Sequence, residues 1–384
     1  MTSNIVVKNF RFRIFPSKAQ TTKLVNTLDL CRDLFNASLQ ERRDAYRLNR
    51  ISLNYYDQAN QLKEIKETNP EYKDVHSQIS QDVLKRVDKA FQNFFRRVKQ
   101  KSGKAGFPRF QNKQRYNSFT FAQSGFSLTD SRLTLSKIGK VKIKLHRAIV
   151  GKIKTLTVSR DSCGKWFACF SVETAKEILE PTNKSIGIDA GITTFLTLSD
   201  GVEIDNPRFL KTDEKILTTA QRRLSKQPKG SKERYAKRKI VAKIHNRIKN
   251  RRSNFAHQVS RFLVNSYDVI VFEDLNVKGM MKNHCLARSI ADVSWNQLIS
   301  FTKYKAENAD RKMIQIRPNF TSQDCSNCGN RQKMPLDVRL YECSNCHISI
   351  GRDLNASLNI LSVGLNTLRN QSVEATSKPC LVVE

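Results

Sequence analysis

Four cysteines arranged as Cys325-x-x-Cys328 and Cys343-x-x-Cys346 commit one stretch of this chain to folding around a metal. Each Cys-x-x-Cys pair presents two thiolates from one tight knuckle, and two pairs complete the tetrahedron that zinc prefers. Fourteen residues lie between Cys328 and Cys343, which suits two knuckles joined by a hairpin. Full sulfur coordination leaves no position open for water, so one zinc is expected here in a structural role. The other five cysteines, Cys31, Cys163, Cys169, Cys285 and Cys380, are scattered, which indicates reduced thiols and not a disulfide framework.

Three carboxylates flank this module in a telling order. Asp189 ends the strand-like run Ser185-Ile186-Gly187-Ile188, just before Ala190-Gly191. Glu273 closes the apolar run Val269-Ile270-Val271-Phe272, and Asp353 stands in Gly351-Arg352-Asp353-Leu354-Asn355-Ala356, where a helical pattern opens. The cysteines fall between the second acid and the third. In-line displacement at a phosphodiester is promoted by two Mg²⁺ ions, one activating water and one stabilising the leaving oxygen, and carboxylate oxygens hold such hard cations best. An acid capping an apolar strand is also an ordinary strand exit. It is the combination that points to a metal-dependent nuclease.

Charge gives an independent constraint. Lys and Arg number 68 against 35 Asp and Glu, a formal net charge of +33 and a pI of about 10.0, far beyond what solubility requires. A polyanionic partner is implied. A ribosomal or chromatin-like protein would explain the charge but not three strand-end acids. Length indicates two or three domains, and a hydrophobic content of 39% suffices for their cores. No secretory apolar region follows Met1 and no apolar run is long enough to span a bilayer, so a cytoplasmic, nucleoid-associated protein is expected.

Periodicity orders the rest. Phe10, Phe12 and Ile14 alternate with Arg11 and Arg13 as in a strand, Pro16 stops it, and Ser17-x-x-Gln20 reads as a capping box. Leu24, Leu28, Cys31, Phe35 and Leu39 follow at helical spacing, and a second helix carries Ile79, Val83, Val87, Phe91, Phe94 and Val98 before Gly103, Gly106 and Pro108. Arg42, Arg43, Lys85, Arg96, Arg97 and Lys99 mark the opposite faces as a nucleic-acid contact surface. From about Asn117 the period changes to two. Val141 to Leu145 alternates, and Ile153 to Arg160 pairs with Trp166 to Val172 across the turn Asp161-Ser162-Cys163-Gly164. With the first strand these make a small β-barrel holding an inserted helical lobe.

Glu177 to Lys184, polar and containing Pro181, reads as a linker. The second half opens with Ile186 to Ile188 and returns through Phe195 to Leu198. Lys211 to Arg252 is a long basic helical region whose Arg238, Lys243 and Arg247 are read as gripping phosphates. His257, on the next amphipathic stretch, is read as packed or backbone-bonded. Residues Arg369 to Glu384 are polar and aperiodic, and disorder is expected there.

At Gly187-Ile188-Asp189-Ala190-Gly191, Phe272-Glu273-Asp274-Leu275 and Arg352-Asp353-Leu354-Asn355-Ala356-Ser357-Leu358-Asn359-Ile360, the chain resembles the TnpB proteins of bacterial insertion sequences. Gly106-Phe107-Pro108-Arg109-Phe110 and Ser294-Trp295 are also similar to that family, and the likeness covers nearly the whole chain. One departure is Gly351, where the family often carries an acid. The resemblance implies an α/β multidomain protein: an RNase H-like (RuvC) nuclease domain over 182–364, a zinc ribbon inserted at 320–350, a β-barrel wedge from 1–16 and 116–176, a helical recognition lobe over 17–115, and a disordered tail over 365–384. It implies Asp189, Glu273 and Asp353 as catalytic ligands of two Mg²⁺ or Mn²⁺ ions and Cys325, Cys328, Cys343 and Cys346 as zinc ligands. The partners implied are a guide RNA encoded near the element and double-stranded target DNA, handled by a monomer, with no membrane. Ser77, Gln78, Ser80 and Gln81 at a helix start are candidate readers of a short DNA motif, since Gln can bond an adenine edge in two places. Tyr55 and Arg109 join them as candidate contacts through the family likeness. The expected activity is RNA-guided DNA cleavage; a guided repressor and an RNA-independent, structure-specific nuclease are the alternatives.

Overall fold

The computed structural model describes residues 4–376 apart from 102, 104, 336 and 337, with side chains up to residue 370. The chain divides into two units, Met1–Ala175 and Lys176–Glu384.

In the first unit, strand β1 (Ile5–Phe15) leads into helix α1 (Lys18–Asn49). Ser17 and Gln20 close the capping box, the Ser17 hydroxyl accepting the Gln20 N–H at 3.2 Å and the Gln20 side chain accepting the Ser17 N–H at 3.0 Å. Helices α2 (Tyr55–Asn60), α3 (Leu62–Thr68) and α4 (Ser77–Lys99) follow. Six strands complete the unit: β2 (Ser118–Phe121), β3 (Phe126–Leu128), β4 (Arg132–Leu135), β5 (Gly139–Lys144), β6 (Lys152–Arg160) and β7 (Trp166–Ala175).

The sheet order is β2-β6-β7-β1-β5-β4-β3, so its two edge strands are neighbours in sequence, joined by the short segment Ala122–Gly125. That connection curls the sheet into a nearly closed barrel, with Phe121 and Phe126 in ring contact at 6.2 Å where the edges approach. The β6–β7 turn is set by Asp161, whose carboxylate accepts the N–H groups of Cys163 and Lys165. Leu24, Leu28, Cys31, Phe35 and Leu39 of α1 and Ile79, Val83 and Val87 of α4 share one core with the barrel. Arg42 departs from the expected surface role. Only 6% exposed, it donates to Gln58 at 2.8 Å and Asp88 at 3.0 Å, because the helices packed against α1 cover it.

The second unit begins with β8 (Ser185–Asp189), β9 (Thr194–Leu198) and β10 (Glu203–Asp205), then helices α5 (Phe209–Ser225) and α6 (Lys232–Ser266). Next come β11 (Val269–Glu273), α7 (Val277–Met280), α8 (Ala287–Val293), α9 (Trp295–Ala309) and β12 (Lys312–Ile316). A hairpin of β13 (Leu340–Glu342) and β14 (Ser349–Gly351) precedes helix α10 (Arg352–Thr376). The main sheet runs β10-β9-β8-β11-β12; β8, β11 and β12 are parallel, while β9 is antiparallel to both its neighbours.

Alternate residues of β11 serve two cores. Ile270 and Phe272 pack with Val259, Leu263, Trp295 and Leu298 from α6 and α9, whereas Val271 packs with Ile360 of α10 on the other face. Helix α10 lies directly on the sheet because glycines meet it. A Cβ at Gly187 would come within 2.2 Å of the Ser357 carbonyl oxygen, and one at Gly364 within 2.5 Å of a Val271 methyl.

Two further expectations are corrected here. Residues 177–184 are strapped down rather than free: the Glu177 N–H donates to the Asn308 carbonyl, Arg311 donates to the Glu180 carbonyl, and the Asp268 carboxylate accepts the N–H groups of Thr182 and Asn183. Helix α10 continues to Thr376, past the expected start of disorder at 365. Leu361, Leu365 and Leu368 extend its half-buried stripe, and adding turns to a docked helix costs little. The expected tail from 377, with Cys380, lies outside the described residues. No described helix is long and apolar enough to cross a membrane.

Candidate functional site

Strand register brings the first two acids together. Ile188 pairs with Phe272 in the parallel β8–β11 ladder, so Asp189 and Glu273 leave adjacent strands side by side at their C-terminal ends. Ligands of open α/β sheets bind at such ends. Asp353 sits in the first turn of α10, which the contact at Gly187 seats against β8.

The charges of Glu273 and Asp353 both reach Asp189. Burial pushes the Asp189 carboxyl up from 3.8 to about 7, the charges of Glu273 and Asp353 push the same way, and the Ala190 N–H and Arg352 oppose them. Glu273, only 8% exposed, is also raised by burial and is held down by the Thr321 hydroxyl, which donates to its Oε1 at 2.5 Å. An Arg339 nitrogen stands 3.8 Å from the Asp353 carboxylate as an exposed pair. Carboxylate oxygens are the hard donors that Mg²⁺ and Mn²⁺ prefer.

A pH dependence follows. The folded metal-free chain keeps a proton on Asp189 between about 4 and 7 that the unfolded chain gives up, so its stability is expected to fall as pH rises through that window. The single proton of Asp189 contributes at most about 1.4 kcal/mol per pH unit to that slope. Chemical denaturation in chelator from pH 4.5 to 8 should show the decline, and Asp189→Asn should flatten it. An unchanged slope in that variant would rule out Asp189 as the source.

The four cysteine sulfurs lie within 4.8 Å of one another, with Cys325–Cys346 and Cys328–Cys343 both at 3.6 Å. That is far from the ~2.05 Å of a disulfide and close to the ~3.8 Å edge of a tetrahedron with Zn–S bonds of about 2.3 Å. The Cys346 and Asn345 N–H groups point at the Cys343 sulfur and help lower its pKa to about 6, which favours the thiolate that zinc needs.

Contacts that sequence reasoning missed tie this ribbon to α10. Asn355, fully buried, accepts the Ser326 N–H at 2.9 Å and donates to the Asp324 carbonyl at 2.8 Å. Asn359, one turn on, donates to the Asp324 and Thr321 carbonyls. Arg352 donates to the Pro335 carbonyl at 2.7 Å. A signal was present: two asparagines four apart on an otherwise apolar helical face must find partners when buried.

The candidate nucleic-acid contacts differ in their surroundings. Arg238 and Lys243 are exposed on α6, but Arg247 and Arg251 both pair with Asp213, which is 1% exposed, and Arg252 pairs with Asp292. Part of that basic region is therefore spent on holding α5 and α8 to α6. Ser77 and Gln81 are exposed at the start of α4, whereas Gln78 accepts the N–H groups of Gln123 and Ser124, and Ser80 is buried. Tyr55 is half-buried with the Lys85 ammonium 5.6 Å from its ring centre, and Arg109 is exposed. His257 is exposed and stacks on Phe301 at 4.0 Å.

The whole chain shares its fold with a CRISPR effector. A solved complex of Cas12f1 with sgRNA and target DNA aligns with a TM-score of 0.58 over 93% of this chain and 99% of that one, at 13% identity. Three family models match: one described as "Probable transposase" at residues 168–284, one as "Cas12f1-like, TNB domain" at 295–360, and one as "Helix-turn-helix domain" at 1–50. The last description does not fit the geometry, since β1 and one continuous helix occupy residues 5–49. A Streptomyces pristinaespiralis protein named "Putative RNA-guided DNA endonuclease" is 34% identical, covering 94% of this chain and 90% of its own. The Escherichia coli K12 protein InsQ, given the same description, is 29% identical over 96% of this chain and 95% of its own. The chain belongs to the TnpB family of insertion-element proteins.

Proposed function

We infer that this chain is an RNA-guided DNA endonuclease of an insertion element and that it cuts with a RuvC-like, RNase H-type site. The reading is supported by Asp189 and Glu273 leaving adjacent parallel strands side by side, with Asp353 in the first turn of the helix seated on that sheet at Gly187. A net charge of +33 supports a nucleic-acid partner. Residues 182–364 are the proposed nuclease domain with its ribbon at 320–350. Residues 1–16 and 116–176 form the proposed wedge, and 17–115 the recognition lobe.

In this reading Asp189, Glu273 and Asp353 hold two Mg²⁺ or Mn²⁺ ions, which when bound activate water and stabilise the leaving oxygen. Asp189 must first lose the proton that its burial favours. The close approach at Gly187 seats α10, and with it Asp353, against β8, and the Asp324 and Thr321 carbonyls tie the cysteine module to the same helix. The exposed cations of α6, Arg238 and Lys243, grip phosphates without reading sequence. Tyr55, Ser77, Gln81 and Arg109 are proposed contacts in the first unit. Base pairing to the guide RNA supplies most of the specificity, and a short duplex motif the rest.

The test is purification from cells that carry the element, sequencing of any bound RNA, and cleavage of DNA matched to it. One defined RNA species, RNase-sensitive cutting in Mg²⁺, and retargeting by a changed guide are expected. Cutting of branched DNA without RNA would establish the structure-specific alternative instead. Guided binding with no cutting in Mg²⁺ or Mn²⁺ would make the chain a repressor.

A further inference from the structure

We propose that Thr321 is the positioning residue for the Glu273 carboxylate, fixing which of its oxygens faces the metal; this rests on Glu273 being a metal ligand. Glu273 ends β11 with 8% exposure, and Thr321, equally buried, donates its hydroxyl to Oε1 at 2.5 Å. A glutamate has three rotatable bonds, and the strand holds only its backbone. The hydroxyl occupies one carboxylate oxygen and leaves Oε2 to a cation. Metal sites are tuned in this way, by groups that orient a ligand without touching the ion.

Thr321 is itself held from several sides. Its carbonyl accepts from Asn359 at 2.8 Å, and Asn359 also donates to the Asp324 carbonyl at 2.7 Å. Asn355 donates to that same Asp324 carbonyl and accepts the Ser326 N–H, so the segment entering the first cysteine knuckle is bolted to the helix that carries Asp353. Just before Thr321, Phe320 adopts φ +59°, a conformation uncommon for a bulky residue. The Arg331 guanidinium covers its ring at 3.8 Å and pairs with both Asp324 oxygens at 2.5 and 2.9 Å. A strained turn persists only where its surroundings impose it, and what this turn delivers is one hydroxyl to one carboxylate.

The test is Mn²⁺ binding by zinc-loaded full-length protein, followed by electron paramagnetic resonance and calorimetry. Thr321→Val keeps the shape and removes the hydroxyl, and should weaken Mn²⁺ binding about tenfold or more while zinc stays at its parental content. Thr321→Ser restores the donor and should bind within about threefold of the parent. Glu273→Gln is the control. If it loses Mn²⁺ affinity while Thr321→Val stays within about twofold of the parent, Thr321 has no positioning role, and a lowered melting temperature in Thr321→Val would then mark it as merely structural. If Glu273→Gln itself binds as the parent does, Glu273 is not a ligand and the reading beneath this proposal falls.

Discussion

Proteins carrying Asp189→Ala, Glu273→Ala or Asp353→Ala are expected to hold guide RNA and matched DNA as the parent does and to lose Mg²⁺-dependent cleavage by at least about a thousandfold each. Groups that act as one catalytic unit show such losses singly, and removing a second adds little. Binding should survive because it is carried by cations elsewhere, and removing a carboxylate only lessens the repulsion toward phosphate. The three single variants should therefore resemble the triple variant in a cleavage assay and the parent in a gel-shift assay.

The Asp353 variant is the most demanding of the three. Gly351, two residues before Asp353, ends β14 opposite Leu340, and a Cβ there would meet nothing nearer than Leu354 at 3.9 Å. Space does not enforce the glycine, and no acid stands there to substitute for Asp353. Cutting at near the parental rate by Asp353→Ala would show the third ligand to be misassigned.

The second large effect concerns zinc. Elemental analysis should find one zinc per chain, and Cys343→Ala should both lower the thermal midpoint of the nuclease unit and abolish cleavage. Binding of structural zinc is worth roughly 10–16 kcal/mol in small modules, comparable to the ~5–15 kcal/mol that holds a whole domain together. The loss does not stay local. Asn355 and Asn359 would lose the carbonyls of Asp324 and Thr321, and Thr321 in turn holds Glu273. Less than half an equivalent of zinc in protein purified without chelator would remove the metal from the account, and a Cys343→Ala protein with parental cleavage would separate the ribbon from the nuclease centre.

Much of this architecture was legible because it depends on neighbours in sequence. The knuckles need only a Cys-x-x-Cys spacing, the start of α1 needs only Ser17 and Gln20, and the β6–β7 turn is made by Asp161 bonding two and four residues ahead. The strand-end acids were visible since an apolar run followed by a carboxylate is a local pattern. Their convergence was read through family likeness, and in the structure the β8–β11 register sets Asp189 beside Glu273.

What could not be read was the fate of charged and polar side chains once elements pack. Arg42, counted among surface cations, is buried against Asp88, and Arg247 and Arg252 are engaged by Asp213 and Asp292 from other helices. The polar segment 177–184 has the composition of a linker, yet Asp268 and Arg311 strap it down. Sequence by itself determined the zinc knuckles, the cap, the strand and helix periods and the basic character, since short-range geometry and composition decide these. Tertiary structure alone decided that α10 lies against Gly187, that the ribbon is bolted to α10 through Asn355 and Asn359, and that Thr321 meets Glu273. Those contacts join residues from 29 to 48 positions apart in the hydrogen bonds and far more between Gly187 and Ser357, and a buried polar group takes whichever partner the fold brings to it.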